Sequence, residues 1–179
     1  MQRHFNRKFD RTAAVLGALC FFLSALEFMI PRPLPFIRIG LANFPILLAL
    51  EILPLPGILT VVFLKILGQG LIQGTLFSYT FLLSAAGSLC SAGIMILLNR
   101  LGEKRISLIG VSAAGALTSN IIQLFLAQLL LVGRAMYLIA PPFLAAGLVS
   151  SIILGALAET FCRKSLWISR HKGFFHEKA

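Results

Sequence analysis

Arg38-Ile39-Gly40-Leu41-Ala42-Asn43-Phe44-Pro45-Ile46-Leu47-Leu48-Ala49-Leu50 is the stretch on which the architecture turns. A cation, a glycine, an amide and a proline stand at the head of an apolar run that continues to Leu53. Hydrocarbon offers no hydrogen bonds, so a membrane protein keeps such groups only where protein or water satisfies them. The segment therefore predicts a pocket or pathway inside a helical membrane protein. Whether it crosses the bilayer decides the topology of everything after it.

The surroundings place the chain in the membrane class. Of its 179 residues, 58% are hydrophobic and 12% charged, and the mean hydropathy is +0.93. A soluble domain of this length cannot enclose so much apolar surface. Long unbroken runs such as 106–132 suit helices, whereas a β-barrel shows alternating segments of about ten residues. The apolar blocks and the breaks between them predict helices over 12–30, 38–53, 56–76, 78–100, 106–132 and 136–161. The fold class is all-α, a polytopic integral membrane bundle of six transmembrane helices. The second helix is short, spanning ~24 Å at 1.5 Å per residue, so it crosses with thinning or snorkelling or is re-entrant.

Charge distribution favours crossing. With six crossings, Arg3, Arg7, Lys8, Arg11, Arg100, Lys104, Arg105, Arg163, Lys164, Arg170, Lys172 and Lys178 share one side, against Arg32, Arg38 and Arg134 on the other. Without a crossing at 38–53, Arg3, Arg7, Lys8, Arg11 and Arg134 would stand against the remaining ten loop and tail cations. The positive-inside rule selects the first arrangement, with both termini cytoplasmic. A basic tail (1–11), a membrane domain (12–161) and a second basic tail (162–179) follow. The first apolar run has no convincing cleavage site and reads as a membrane helix rather than a signal peptide. The net charge of +10 lies at helix ends and tails, so the expected partner is membrane lipid and not nucleic acid.

Polar groups within the helices mark the candidate site. Lys65, Gln69 and Gln73 follow one another at four-residue spacing, on one face of the third helix. A lysine in lipid costs ~3 kcal/mol on insertion scales, so Lys65 should face inward, toward a carboxylate such as Glu51 or Glu27 or toward a ligand. Asn120 and Gln123 share a face of the fifth helix and suit either an interhelical hydrogen bond or a polar ligand. Ser84, Gly87, Ser88, Ser91 and Gly93 in the fourth helix read as close packing. Ala14 and Ala18, like Ala13 and Gly17, lie four apart and form a smooth strip for another helix, within the chain or on a partner subunit. Pro141-Pro142 should bend or delay the sixth helix, and Glu159 should pair with Arg163 or Lys164. Cys20, Cys90 and Cys162 read as small buried hydrophobes.

Several chemistries lack their residues. The chain has one aspartate, Asp10, and no carboxylate cluster of the kind that holds Mg²⁺ for diphosphate chemistry. It has no Walker motif, and its three histidines lie in the tails. The expectation is a protein that is not itself an enzyme and binds no metal or cofactor.

The run Arg38-Ile-Gly-Leu-Ala-Asn43 resembles the opening signature of the Gx transporter family, also labelled heptaprenyl diphosphate synthase component I. The resemblance continues through Leu64-Lys-Ile-Leu-Gly68, Gly74-Thr-Leu76, Leu83-Ser-Ala-Ala-Gly87, Ile109-Gly-Val-Ser-Ala-Ala-Gly-Ala116 and Asn120-Ile-Ile-Gln123. It covers roughly 36–158, with departures at Phe44-Pro45 and in the Thr-Ser-Asn120 context. That family is similar to the six-helix substrate-binding S components of energy-coupling-factor transporters. The resemblance implies a bacterial inner-membrane subunit that captures a small vitamin-like solute, anionic or flavin-like. A transmembrane coupling protein and ATPases would act in trans. Arg38 and Lys65 would attract an anionic group, and Asn43, Gln69, Gln73, Asn120 and Gln123 would supply the other contacts. Ala14, Gly17 and Ala18 would form the docking strip for the coupling protein. The family's label implies an alternative, a non-catalytic accessory subunit of a prenyl diphosphate synthase.

Overall fold

Polar groups lie inside this protein and apolar ones outside, the reverse of a soluble domain. Thr12, Ser24, Glu27, Lys65, Gln69, Ser84, Ser88, Ser91, Ser112 and Ser151 are buried, while Phe22, Phe28, Phe63, Leu82, Ile121 and Phe125 are exposed. The computed structural model describes residues 2–29, 40–101, 106–132, 136–166 and 168. Arg38, the Pro-rich segment before it, Arg134 and the C-terminal tail from 169 lie outside the described residues.

Six α-helices make up the bundle: α1 (Gln2–Met29), α2 (Phe44–Ile52), α3 (Leu55–Ile72), α4 (Tyr79–Leu101), α5 (Leu108–Ala127) and α6 (Met136–Lys164). Five are long and apolar enough to cross a membrane, counting α1 from Arg11. The protein is a multi-pass helical membrane bundle. The helix α1 begins within the basic tail, at Gln2, where no proline or glycine interrupts the backbone before Gly17. The last turn of α5 widens into a π-helical segment, Gln128–Val132.

The second helix is shorter than its apolar run. Gly40 is left-handed (φ 79°) and ends the preceding chain. The Asn43 N–H donates to the Gly40 carbonyl at 2.8 Å and closes a 3₁₀ turn over Leu41–Asn43. Pro45 then sits in the first turn of α2, where its missing N–H removes no helical bond. Leu53 is extended, as the residue before Pro54 should be. The 3₁₀ turn and α2 together span ~20 Å, short of the ~30 Å hydrocarbon core. Its surface meets protein: Pro45, Ile46, Leu47, Leu48, Ala49, Leu50 and Ile52 are all buried. The neighbours are α1, α3, α4 and α6, so α2 is the apolar axis of the bundle.

Around that axis α1 packs on α3, α4 on α5, and α5 on α6. Lipid is as apolar as leucine, so close packing rather than water exclusion holds such helices together. Small residues permit it: a Cβ on Gly17 would lie 2.5 Å from Leu64 Cδ1, and one on Gly155 would lie 2.7 Å from Ile109 Cα.

The third helix stops at Ile72 rather than continuing to 76. Gly74 adopts φ 64° and the Thr75 N–H turns back to the Gly70 carbonyl at 3.0 Å, a glycine C-terminal stop. The sixth helix runs without a break across Pro141 and Pro142. Arg163 and Glu159 form the expected pair at 2.7 Å. Of the cysteines only Cys20 is buried, with Cys90 exposed on the lipid side and Cys162 between.

Candidate functional site: a polar cavity inside the bundle

The buried polar residues converge on one cavity of about 40 Å³. Five of the six helices and the turn before α2 contribute. Glu27 comes from α1, Gly40, Ala42 and Asn43 from the 3₁₀ turn, Lys65 and Gln69 from α3, and Ser88 from α4. Ser112, Ala116, Ser119, Asn120 and Gln123 line it from one face of α5, and Gly147, Ser151 and Leu154 from one face of α6. The four-residue spacing of Lys65 and Gln69, and of Ser112, Ala116 and Asn120, places each set one turn apart on its helix.

Lys65 is the hub. It is 5% exposed, and its ammonium donates to Asn43 Oδ1 at 2.9 Å and to Ser88 Oγ at 2.8 Å. These bonds join three helices at a buried charge, and each hydrogen bond to a charged group is worth about 1.5–3 kcal/mol. Glu27, also buried, accepts from the Gly40 N–H at 3.1 Å. Gly40 therefore performs two tasks: its conformation starts the turn, and its N–H engages the carboxylate. On the opposite wall the Ser112 hydroxyl donates to the Ser151 carbonyl at 2.8 Å and ties α5 to α6. Gln123 Nε2 donates to Ser119 Oγ at 2.9 Å.

Two amides are different. Among the described residues no side-chain hydrogen bond reaches the Gln69 or the Asn120 carboxamide, although both line the cavity. Gln69 is 5% exposed. Glycines make room for the amides of α5. A Cβ on Gly147 would collide with Asn120 Nδ2, and one on Gly87 would come within 2.9 Å of Gln123 Nε2.

Asn43, Lys65, Gln69, Asn120 and Gln123 thus share one cavity. Gln73 does not join them. It caps the end of α3, half-buried, one turn beyond Gln69 and outside the cavity. Arg38 lies outside the described residues. In the small-residue strip Gly17 is buried against Leu64 of α3, while Ala14 and Ala18 face outward. The sequence pattern reads Ser88 as a packing residue and Glu27 only as a partner for Lys65, and it does not mark Ser112, Ser119 or Ser151 as site residues. No three His, Cys, Asp or Glu side chains come together to hold a metal ion among the described residues.

The profile of one protein family, described as heptaprenyl diphosphate synthase component I, matches residues 16–161. Searches of curated proteins and of solved structures returned no match. The matched span runs from the middle of α1 into the last turn of α6 and takes in α2 to α5 and every residue that lines the cavity. The chain belongs to the heptaprenyl diphosphate synthase component I family.

Proposed function

We propose that the protein is a membrane substrate-binding subunit that captures a small polar solute for uptake. One observation carries this reading: a hydrogen-bonding cavity inside an apolar bundle, with the Gln69 and Asn120 amides turned into it and unused by the protein. A bundle held together only by packing has no need of buried amides, each of which costs about 1–3 kcal/mol when left unsatisfied. A ligand that fills the cavity recovers that cost. The chain has no Walker motif, so energy would come from ATPases and a transmembrane coupling protein in trans, as in energy-coupling-factor transporters. Ala14 and Ala18, exposed on α1, offer that coupling protein a smooth strip. The orientation that fits the charge bias has both termini cytoplasmic in a bacterial cell membrane.

Native mass spectrometry of the purified protein tests the reading by releasing a retained small molecule. Lys65→Ala and Asn120→Ala should each lower its occupancy while the helical fold persists. Unchanged occupancy in both variants removes the site.

The family description favours a second reading, a non-catalytic membrane subunit of a prenyl diphosphate synthase. Copurification with a soluble, Asp-rich synthase, together with no retained solute, would put this reading in place of the first.

A further inference from the structure

The cavity wall specifies its occupant more closely than size alone. A carboxamide presents two donors and an acceptor, and among the described residues none of these is used on Gln69 or Asn120. An occupant that satisfies both amides must itself donate and accept. An ionised carboxylate or a fully ionised phosphate group only accepts, so by itself it leaves the amide carbonyls unanswered.

Charge points the same way. Lys65 and Glu27 both line the cavity, one cation and one anion, and they are the ionisable residues of its described wall. Such a wall gives an anionic solute no net attraction. Ligand pockets are usually lined by apolar and aromatic side chains. Among the described residues no aromatic side chain lines the cavity, and Leu154 is the largest apolar one. A flat ring system would find nothing to stack on. The open space corresponds to about three waters at roughly 10–15 Å³ each, which suits a three-carbon solute without movement of the helices.

We infer that the cavity takes a compact, net-neutral, non-aromatic solute whose polar groups both donate and accept, of the hydroxyamide or small-polyol type. This inference rests on the solute-capture reading and narrows it away from anions and flavins.

Saturation-transfer NMR on the full-length protein in nanodiscs tests it with three probes: lactamide, lactate and riboflavin. Lactamide and lactate differ at one group, so the wild-type protein alone reports the preference for a neutral ligand. Lactamide should bind at least tenfold more tightly than lactate, and riboflavin should not displace it. The near-isosteric variants Gln69→Met and Asn120→Leu, checked for helical content, should each weaken lactamide at least fivefold. Lactate binding as tightly as lactamide, or riboflavin displacing it, overturns the inference and leaves solute capture standing. So does a different small molecule retained through purification while lactamide fails to bind. Lactamide binding that ignores both variants also overturns the inference, because the probe then sits elsewhere. No probe bound and no molecule retained overturns both readings.

Discussion

Gly40 and Gly74 are both left-handed, and comparing them isolates the contact that fixes the cavity's cation. At Gly74 an alanine Cβ would meet nothing within 4 Å, so Gly74→Ala carries only the backbone cost. That cost is about 1 kcal/mol for an L-residue with positive φ. At Gly40 the backbone cost is the same in kind, and the Cβ would also lie 3.2 Å from Asn43 Nδ2. The Asn43 amide must then give by a few tenths of an ångström. Its other edge accepts from the Lys65 ammonium at 2.9 Å. A hydrogen bond to a charged group is worth about 1.5–3 kcal/mol, so weakening it in part adds about 1 kcal/mol. Gly40→Ala should therefore cost about 2 kcal/mol, against about 1 for Gly74→Ala. In an Asn43→Ala background the excess should vanish, giving a coupling of about 1 kcal/mol, above the ~0.3–0.5 kcal/mol scatter of independent sites. Reversible unfolding in mixed micelles, followed by far-UV circular dichroism, measures all four variants. Equal costs at the two glycines, or an excess that survives without Asn43, would refute the proposed chain from Gly40 through Asn43 to Lys65.

Four further outcomes follow from the packing and capping. Gly155→Val should destabilise by about 1–3 kcal/mol or more, because the group in its way is the α5 backbone at Ile109. Gly93→Ala, with nothing within 4 Å, should instead stabilise α4 by up to about 1 kcal/mol in the same unfolding assay. Ser107→Ala should cost about 1 kcal/mol by removing the cap that accepts from the Gly110 N–H, and Ser107→Asp should restore it. Gly147→Ala should push the Asn120 amide out of its place and lower solute occupancy at least tenfold in native mass spectra. Its melting temperature should fall little, because that amide has no protein hydrogen bond to lose.

The long helices are legible in the sequence because lipid demands unbroken apolar runs, and five blocks supply them. Lys65 and Gln69 are legible for the converse reason, since a charge and an amide one turn apart stand out in such a run. Serine carries a weaker signal. Its hydroxyl can bond its own helix, as Ser151 does to the Leu148 carbonyl at 2.8 Å, so nothing in the pattern separates Ser88 or Ser112 from a packing residue. Gln73 misleads because it shares that helical face but sits at the C-terminal cap of α3, beyond the cavity. Gly74 in the sequence signals that the helix stops there, and the backbone bears this out. The strip on α1 divides for a similar reason. Two registers of small residues lie on adjacent faces, and only tertiary contact reveals that Gly17 packs against Leu64 while Ala14 faces out.

The short second helix and the polar cavity have one cause. Lys65 and Ser88 stand in the middle of α3 and α4, so Asn43, bonded to the same ammonium, lies at mid-bundle depth. The chain therefore enters α2 through an irregular turn well inside the bundle. Irregular backbone persists at such depth only where protein encloses it or it lines a cavity. Here it does line one, and the turn adds the Gly40 N–H and the Asn43 amide to the polar wall. Had the α-helix of α2 extended back through Gly40, that N–H would be bound to a carbonyl four residues earlier and lost to Glu27. The left-handed glycine frees it, and the 3₁₀ turn then aims Asn43 at Lys65. A helix long enough to cross unaided would close the cavity to backbone donors. A helix this short needs α1, α3, α4 and α6 around it, and the helices that shield it also bring the cavity's side chains together.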